Sequence, residues 1–409
     1  MPAAEWSVLL YLAAHNDLSQ HGVRSLDQVL RAGASPRVVV STLIDTPYGV
    51  RRHVLHGPGS STAEAMRSYD SGSIASLVET ARWAFGRQPA RRHALVLWSH
   101  GTGWQPRELA RRDAVRLNTG NVPALFRETA LALDAAASGA GRAVCFDDGS
   151  QHALDAVALG EAARRIARDL GKPIDVLGLD ACLMATVEVA AELHGPARTL
   201  VASQELTPAT SWPYDALLAG LLAAPEQDAG SLARGIVAAC AEWYRLNPPR
   251  PNRGDVAFSA VSVEALPPLL GALDALADAL RAGMPAAREG LWAAQRTTQN
   301  TQTRSGLRQP SKFDYQLWDA RSLAAALGDA GPDRRIVAAA NAVRAALAPG
   351  PTVLAEHHAG AWFDGLGALS VYCPPPDVSA LSAAYGRLAF AKRGPWAALL
   401  EAYNPQQHG

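Results

Sequence analysis

His93-Ala-Leu-Val-Leu-Trp-Ser99, running straight into His100-Gly-Thr-Gly103, and Ile174-Asp-Val-Leu-Gly-Leu179, running into Asp180-Ala-Cys182, decide how this chain is read. Each is a short apolar run without polar alternation, the pattern of a strand buried on both faces. Each stops at residues that carry chemistry. Trp6-Ser-Val-Leu-Leu-Tyr-Leu12 and Val38-Val-Val-Ser-Thr-Leu-Ile44 are two more such runs, ended by His15-Asn-Asp17 and Asp45-Thr-Pro47. Thr199–Ala202 and Val256–Val263 add a fifth and a sixth. Between them, Leu18–Ala32, Ile74–Phe85, Leu154–Leu170 and Met184–Leu193 space their apolar residues helically. Strand, helix, strand within about 40 residues is a βαβ unit, so the fold class is α/β with a mostly parallel sheet. The stretch from about 105 to 143, with Arg111, Arg112, Arg116 and Ala137-Ser-Gly-Ala-Gly141, reads as an insertion or a long loop containing a helix. From Leu266 to Ala346 the pattern is mostly helical, and a last β segment lies near Gly367–Tyr372, before Pro374-Pro-Pro376.

In open parallel sheets ligands bind outside the carboxyl ends of the strands. His100 and Cys182 both stand there, 82 residues apart in sequence but on strands that can be neighbours. A cysteine nucleophile needs a thiolate, and an imidazole supplies the base or the cationic partner. Gly101 and Gly103 allow close backbone approach, and their N–H groups can face a developing oxyanion. Taken singly, Cys182 would be read as a small buried hydrophobe and the Gly-rich turn as an ordinary loop; the pair together points to catalysis. Cys145, Cys240 and Cys373 have no base nearby in sequence and are expected to be structural.

The 409 residues allow two or three domains, or one large α/β unit with an appendage. Hydrophobic residues make up 48% and charged residues 19%, which excludes a disordered chain. The 38 basic residues balance the 38 acidic ones, so nucleic-acid binding by bulk charge is not expected. Four scattered cysteines make no disulfide framework and no C-x-x-C pair, which suits a reducing compartment. Met1–Trp6 has no export signal and no stretch nears the roughly 20 apolar residues of a membrane span, so a soluble, cytoplasmic protein is expected.

Leu97-Trp-Ser-His-Gly-Thr-Gly-Trp104 and Leu179-Asp-Ala-Cys-Leu-Met-Ala185 resemble the two active-site motifs of clostripain-like cysteine peptidases, of the caspase, gingipain and legumain clan. The resemblance spans almost the whole chain: Tyr11-Leu-Ala-Ala-His-Asn-Asp-Leu18, Phe146-Asp-Asp-Gly-Ser150, Val187–Ala190, Val201-Ala-Ser-Gln-Glu205, Phe313–Asp319 and Gly367–Tyr372 are similar to further family segments in the same order. It implies a caspase-like α/β/α sandwich, with a peptidase core over 1–265 carrying the 105–143 insertion. Residues 266–409 would form a mostly helical C-terminal extension that packs on the core and completes it. It implies His100 and Cys182 as catalytic residues, the N–H groups of Gly101 and Cys182 as the oxyanion hole, and Asp180 as an acid of the substrate pocket that accepts Arg or Lys. Leu206-Thr-Pro-Ala-Thr-Ser-Trp-Pro-Tyr214 departs from the Gly-rich stretch usual there, with Thr210 or Ser211 where some members carry a second pocket acid. Relatives commonly mature by a cut between the two motifs, making Arg111, Arg112 and Arg142 candidates for self-cleavage.

The expected function is therefore a cysteine endopeptidase acting through a Cys–His dyad on protein or peptide substrates, cutting after Arg or Lys, with no third catalytic residue evident. The rival reading is a catalytically silent caspase-like domain that binds a partner; a thiol amidase on the same sheet is a third. No cofactor or metal is expected: some relatives depend on calcium, but Asp147-Asp148 alone does not supply its six to eight oxygen ligands. His357-His358 would point to opposite faces of a strand, so they make no metal pair. Substrate identity, oligomeric state and activation trigger are left open by the sequence.

Overall fold

The computed structural model describes residues 3–104, 144–248, 256–302, 316–330, 333–360, 363, 365–376 and 384–404. Its strands are β1 (Ala4–Ala13), β2 (Val38–Thr46), β3 (Gly49–Gly57), β4 (Ser60–Met66), β5 (Ala90–Trp98), β6 (Val144–Asp147), β7 (His152–Leu154), β8 (Ile174–Asp180), β9 (Ala197–Ala202), β10 (Val256–Ser262), β11 (Leu317–Asp319), β12 (Val353–Ala359) and β13 (Ser370–Tyr372). The helices are α1 (Ser19–Ala32), α2 (Ile74–Phe85), α3 (Ala156–Leu170), α4 (Val187–Leu193), α5 (Tyr214–Ala223), α6 (Ala229–Leu246), α7 (Pro267–Ala282), α8 (Ala286–Gln302), α9 (Ala320–Ala330), α10 (Arg334–Ala346) and α11 (Pro395–Tyr403).

Nine strands form one sheet in the order β12-β10-β9-β8-β5-β1-β2-β3-β4. The five central strands, β9-β8-β5-β1-β2, are parallel. The four outer strands are antiparallel to their neighbours. Side chains alternate across a strand, and β1 uses both sides: Leu9, Tyr11 and Ala13 enter one core, while Trp6, Val8, Leu10 and Leu12 enter the other. β5 does the same, with Leu95 and Leu97 on one side and Val96 and Trp98 on the other. Burying both faces is why these strands read as unbroken apolar runs. Helices α2, α3, α4 and the C-terminal helices cover the first face; α1, α5 and α6 cover the second. The result is a three-layer α/β/α sandwich.

Helix ends follow local chemistry. Asp155 caps α3 by accepting from Ala158 N at 2.7 Å, and Gly171 ends it in the left-handed region at φ 68°. Thr186 caps α4 through Val189 N at 3.1 Å. The hairpin β3–β4 is absent from the sequence expectations because Arg51, Arg52 and His56, then Ser60-Ser-Thr-Ala-Glu64, carry no apolar run. An edge hairpin packs on one side only, and polar residues on it block further pairing.

Residues beyond 266 are woven into the sheet and its support. β12 extends the sheet beside β10, and Ser370 of β13 bridges to Thr186. Glu188, on α4, is fully buried; its Oε1 accepts from Tyr372 N at 2.9 Å and Tyr385 Oη at 3.2 Å, while Oε2 has no partner. Burial pushes its carboxyl up to about 7. An acid with a raised folded value costs nothing below its ordinary value near 4.3, and its penalty grows until the pH passes the folded one. Glu188→Gln should therefore raise the melting temperature at pH 8 and change it little at pH 5; an equal shift at both pH values in thermal melts would contradict the assignment.

Candidate active site

Register brings the reactive residues to one edge. Leu12 pairs with Trp98, and Trp98 with Asp180, so β1, β5 and β8 end level. β1 is flanked by β2 on one side and β5 on the other. The crevice between β1 and β5 is thus where the strand order reverses, the favoured ligand position of an open α/β sheet. Ser99-His100-Gly101 and Ala181-Cys182-Leu183 leave the sheet side by side. A Cβ placed on Gly101 would lie 2.2 Å from the carbonyl oxygen of Cys182 and 2.9 Å from its nitrogen. Only glycine allows the two backbones this close.

The turn that carries Cys182 is held in a demanding conformation. Leu183, next to Cys182, has φ 64°, a left-handed geometry that costs a non-glycine residue about 1–2 kcal/mol. Leu183 N is pinned to Glu205 O at 3.1 Å and Ala185 N to Ser203 O at 2.8 Å. Gln204, between them, donates to the carbonyl of Gly367 and to Asp319 Oδ2, and Ser370 Oγ donates to Gln204 Oε1 at 2.8 Å. The C-terminal part thus buttresses the turn that carries the thiol.

Cys182 is buried. Its Sγ accepts from Thr207 N at 3.2 Å and lies 3.4 Å from Thr207 Oγ1. Burial pushes the thiol up, and the Asp180 carboxylate adds to this, against the Thr207 hydrogen bonds. A thiol in that setting needs a base to become a nucleophile. His100 is also buried, and its Nε2 is engaged by Asp17 Oδ1 at 2.7 Å. The ring lies edge-on to Phe146 at 5.8 Å. With Nε2 taken, Nδ1 is the nitrogen left for the thiol proton. Among the described residues no hydrogen bond joins imidazole and thiol directly, an arrangement that tightens in many enzymes only when substrate is bound.

The sequence shows the Asn16-Asp-Leu18 turn after β1 but does not by itself single out Asp17. The turn is built by Asn16, which donates to Ala13 O at 3.1 Å and Phe146 O at 2.8 Å and accepts from Leu18 N at 3.0 Å. These bonds aim Asp17 across the crevice at His100. Asp17→Ala should lower kcat on the order of 10²-fold with KM nearly unchanged, because it frees the imidazole to rotate without touching substrate. A change in KM alone in steady-state assays would remove Asp17 from this role.

Asp180, the last residue of β8, is buried. Its Oδ2 accepts from Ser211 Oγ, from Trp212 N at 3.1 Å and from Tyr214 Oη at 2.8 Å. Burial pushes its carboxyl up to about 6, with those three donors pulling the other way. None of the three bonds uses Oδ1. Ser211 adopts φ 68° and also receives Trp98 Nε1 at 2.8 Å. Of the two residues expected in place of a second acid, Ser211 is bonded to Asp180 itself and Thr210 to Tyr244 Oη at 3.1 Å. Arg111, Arg112 and Arg142 lie outside the described residues. Cys145, Cys240 and Cys373 are free and buried. His357 and His358 lie in β12. No described helix is long and apolar enough to cross a membrane.

The sequence profile of the clostripain family matches residues 131–319, a span that holds Asp180 and Cys182. Nearly half of the chain thus matches the clostripain family of cysteine peptidases. A secreted C11 cysteine protease from Bacteroides thetaiotaomicron, solved with an irreversible peptide inhibitor, is similar over 97% of this chain and 100% of its own, at 17% identity and TM-score 0.62. An inactive zymogen C11 protease from Parabacteroides distasonis is similar over 96% of this chain and 98% of its own, at 16% identity and TM-score 0.61. At such identities the likeness is one of fold, the caspase-like α/β/α sandwich. No protein with a curated description matches the chain.

Proposed function

We propose that this clostripain-like peptidase is an endopeptidase working through a Cys182–His100 dyad, with Asp17 as a positioning residue. Cys182 Sγ attacks the scissile carbonyl while its proton passes to His100 Nδ1. The N–H groups of Gly101 and Cys182 face the oxyanion, His100 protonates the leaving amine, and water then frees the acylated thiol. The observation that carries this reading is the approach of Gly101 to the Cys182 backbone, which leaves room for no side chain between the two motifs. Asp180 receives a basic side chain from the residue before the cut. Its Oδ2 is already surrounded by three donors, so a guanidinium meets Oδ1 rather than both oxygens. Two-point pairing is what separates Arg from Lys, so cleavage after Arg should exceed cleavage after Lys only modestly. Self-processing between the two motifs, at Arg111, Arg112 or Arg142, belongs to the same reading. Labelling with an electrophilic peptide carrying Arg, Lys or Leu beside its warhead tests it. Labelling of Cys182 by the two basic probes over the Leu probe is expected; equal labelling by all three would remove the basic specificity. No labelling of folded protein by any of them would favour a silent partner-binding domain.

A further inference from the structure

The sequence left Asp147-Asp148 without a role because two neighbouring carboxylates make no ion site. The fold separates them. Asp148 is exposed, whereas Asp147, at the end of β6, is fully buried and faces Asp45, at the end of β2, which is buried as deeply. His15, following β1, completes the group. Its Nδ1 is 3.5 Å from Asp45 Oδ1 and 3.4 Å from Asp147 Oδ1, and the three atoms lie within 4.8 Å of one another. Asp147 is supported by Gly149 N at 2.9 Å and Ser150 N at 3.1 Å on Oδ1 and by Ser71 N at 3.0 Å on Oδ2. Asp45 has weaker support: neither of its oxygens has a hydrogen bond of ordinary geometry, and Ser71 is the donor near it.

We propose that His15, Asp45 and Asp147 bind one divalent cation of the zinc or manganese class. Two buried carboxylates side by side, one held only loosely by Ser71, are costly unless a positive charge joins them. An imidazolium is poorly suited, since one N–H cannot serve two oxygens at 3.4 and 3.5 Å. Those spacings do fit ligands around one ion: metal–ligand bonds of about 2.1 Å give a tetrahedral edge of about 3.4 Å. The nitrogen donor favours a zinc-class ion over calcium or magnesium, which prefer oxygen. His15 is partly exposed, so the fourth position opens toward solvent. The consequence for the active site is direct. His15 lies two residues before Asp17, the partner of His100. Asp147 follows Phe146, which packs on the His100 ring and whose N–H bonds Ser99 Oγ at 3.0 Å. An ion here ties together the ends of β1, β2 and β6 around the imidazole.

The binding claim stands apart from the peptidase reading and is tested without activity. Cys182→Ala full-length protein, which cannot hold zinc through the catalytic thiol, is stripped with chelator and titrated separately with Zn²⁺, Mn²⁺ and Ca²⁺. Bound metal is counted by mass spectrometry and stability followed by thermal melts. One equivalent of Zn²⁺ or Mn²⁺, with a melting temperature raised by several degrees, is expected. His15→Ala and Asp45→Asn, each in the same background, should each weaken binding at least about tenfold. His15→Asp should shift preference toward Ca²⁺. Absence of any bound ion in Cys182→Ala, unchanged binding in His15→Ala, or Ca²⁺ bound more tightly than Zn²⁺ and Mn²⁺ would each overturn the proposal. In the first case a proton shared by the two carboxylates is what the cluster holds.

Discussion

Cys182→Ala should abolish peptidase activity, by at least about 10³-fold in kcat, while the protein stays folded. No other described thiol can replace it: Cys145, Cys240 and Cys373 are buried in the cores, and burial pushes each of them up. The substitution carries a modest structural cost of its own. Thr207 N donates to Cys182 Sγ, and an alanine leaves that donor without its acceptor, worth about 1–3 kcal/mol. Cys182→Ser restores an acceptor and separates the two effects. Serine should recover the lost melting temperature and almost none of the activity, because a hydroxyl beside this imidazole is a far weaker nucleophile than a thiol. The same pair of variants reads out self-processing. Wild type cut between the two motifs beside an intact Cys182→Ala chain is the expected pattern on a denaturing gel. Near-full turnover by folded Cys182→Ala would remove the thiol from the mechanism altogether.

The sheet centre was legible because parallel strands buried on both faces leave unbroken apolar runs. Trp6–Leu12, Val38–Ile44, His93–Ser99 and Ile174–Leu179 each became a strand within a few residues. The edges were not legible. β3 and β4 are largely polar, and the short apolar start of β12, Val353-Leu-Ala355, is broken by Glu356-His-His358, so none of the three carries the central signal. The same contrast holds at the site. His100 and Cys182 stand directly at strand ends, where position alone suggests chemistry. Asp17, Thr207 and Ser211 act through loop geometry, and no local spacing reports that a turn after β1 reaches a histidine 83 residues later. The cluster of His15, Asp45 and Asp147 illustrates this further. Its members come from three separate strand ends, and only strand order makes them neighbours.

Asp180→Asn should lower kcat/KM for Arg and Lys substrates by about 10²–10³-fold and leave the slow cleavage after apolar residues nearly unchanged. The magnitude follows from stranding a buried cation without its counter-ion, on the order of 3–5 kcal/mol. Asparagine suits the test because its carbonyl oxygen can take the place of Oδ2 and keep the hydrogen bonds from Ser211, Trp212 and Tyr214. The amide NH₂ then stands where a cation would dock, and repels it. Stability should move the other way. The Asp180 carboxyl is pushed up by burial to about 6, against an ordinary value near 3.9. Its ionisation therefore costs the fold nothing below about pH 4 and most above pH 6, and the asparagine variant escapes that cost. At pH 7.5 the variant should melt no lower than wild type, so lost activity cannot be blamed on unfolding. A second consequence concerns the thiol. The Asp180 charge is one of the influences that raise Cys182, so removing it should ease thiolate formation. Alkylation of Cys182 by a small neutral reagent should then be faster in Asp180→Asn than in wild type, while cleavage after Arg is slower. If both reactions slow together, Asp180 is shaping the nucleophile turn rather than receiving the substrate's charge.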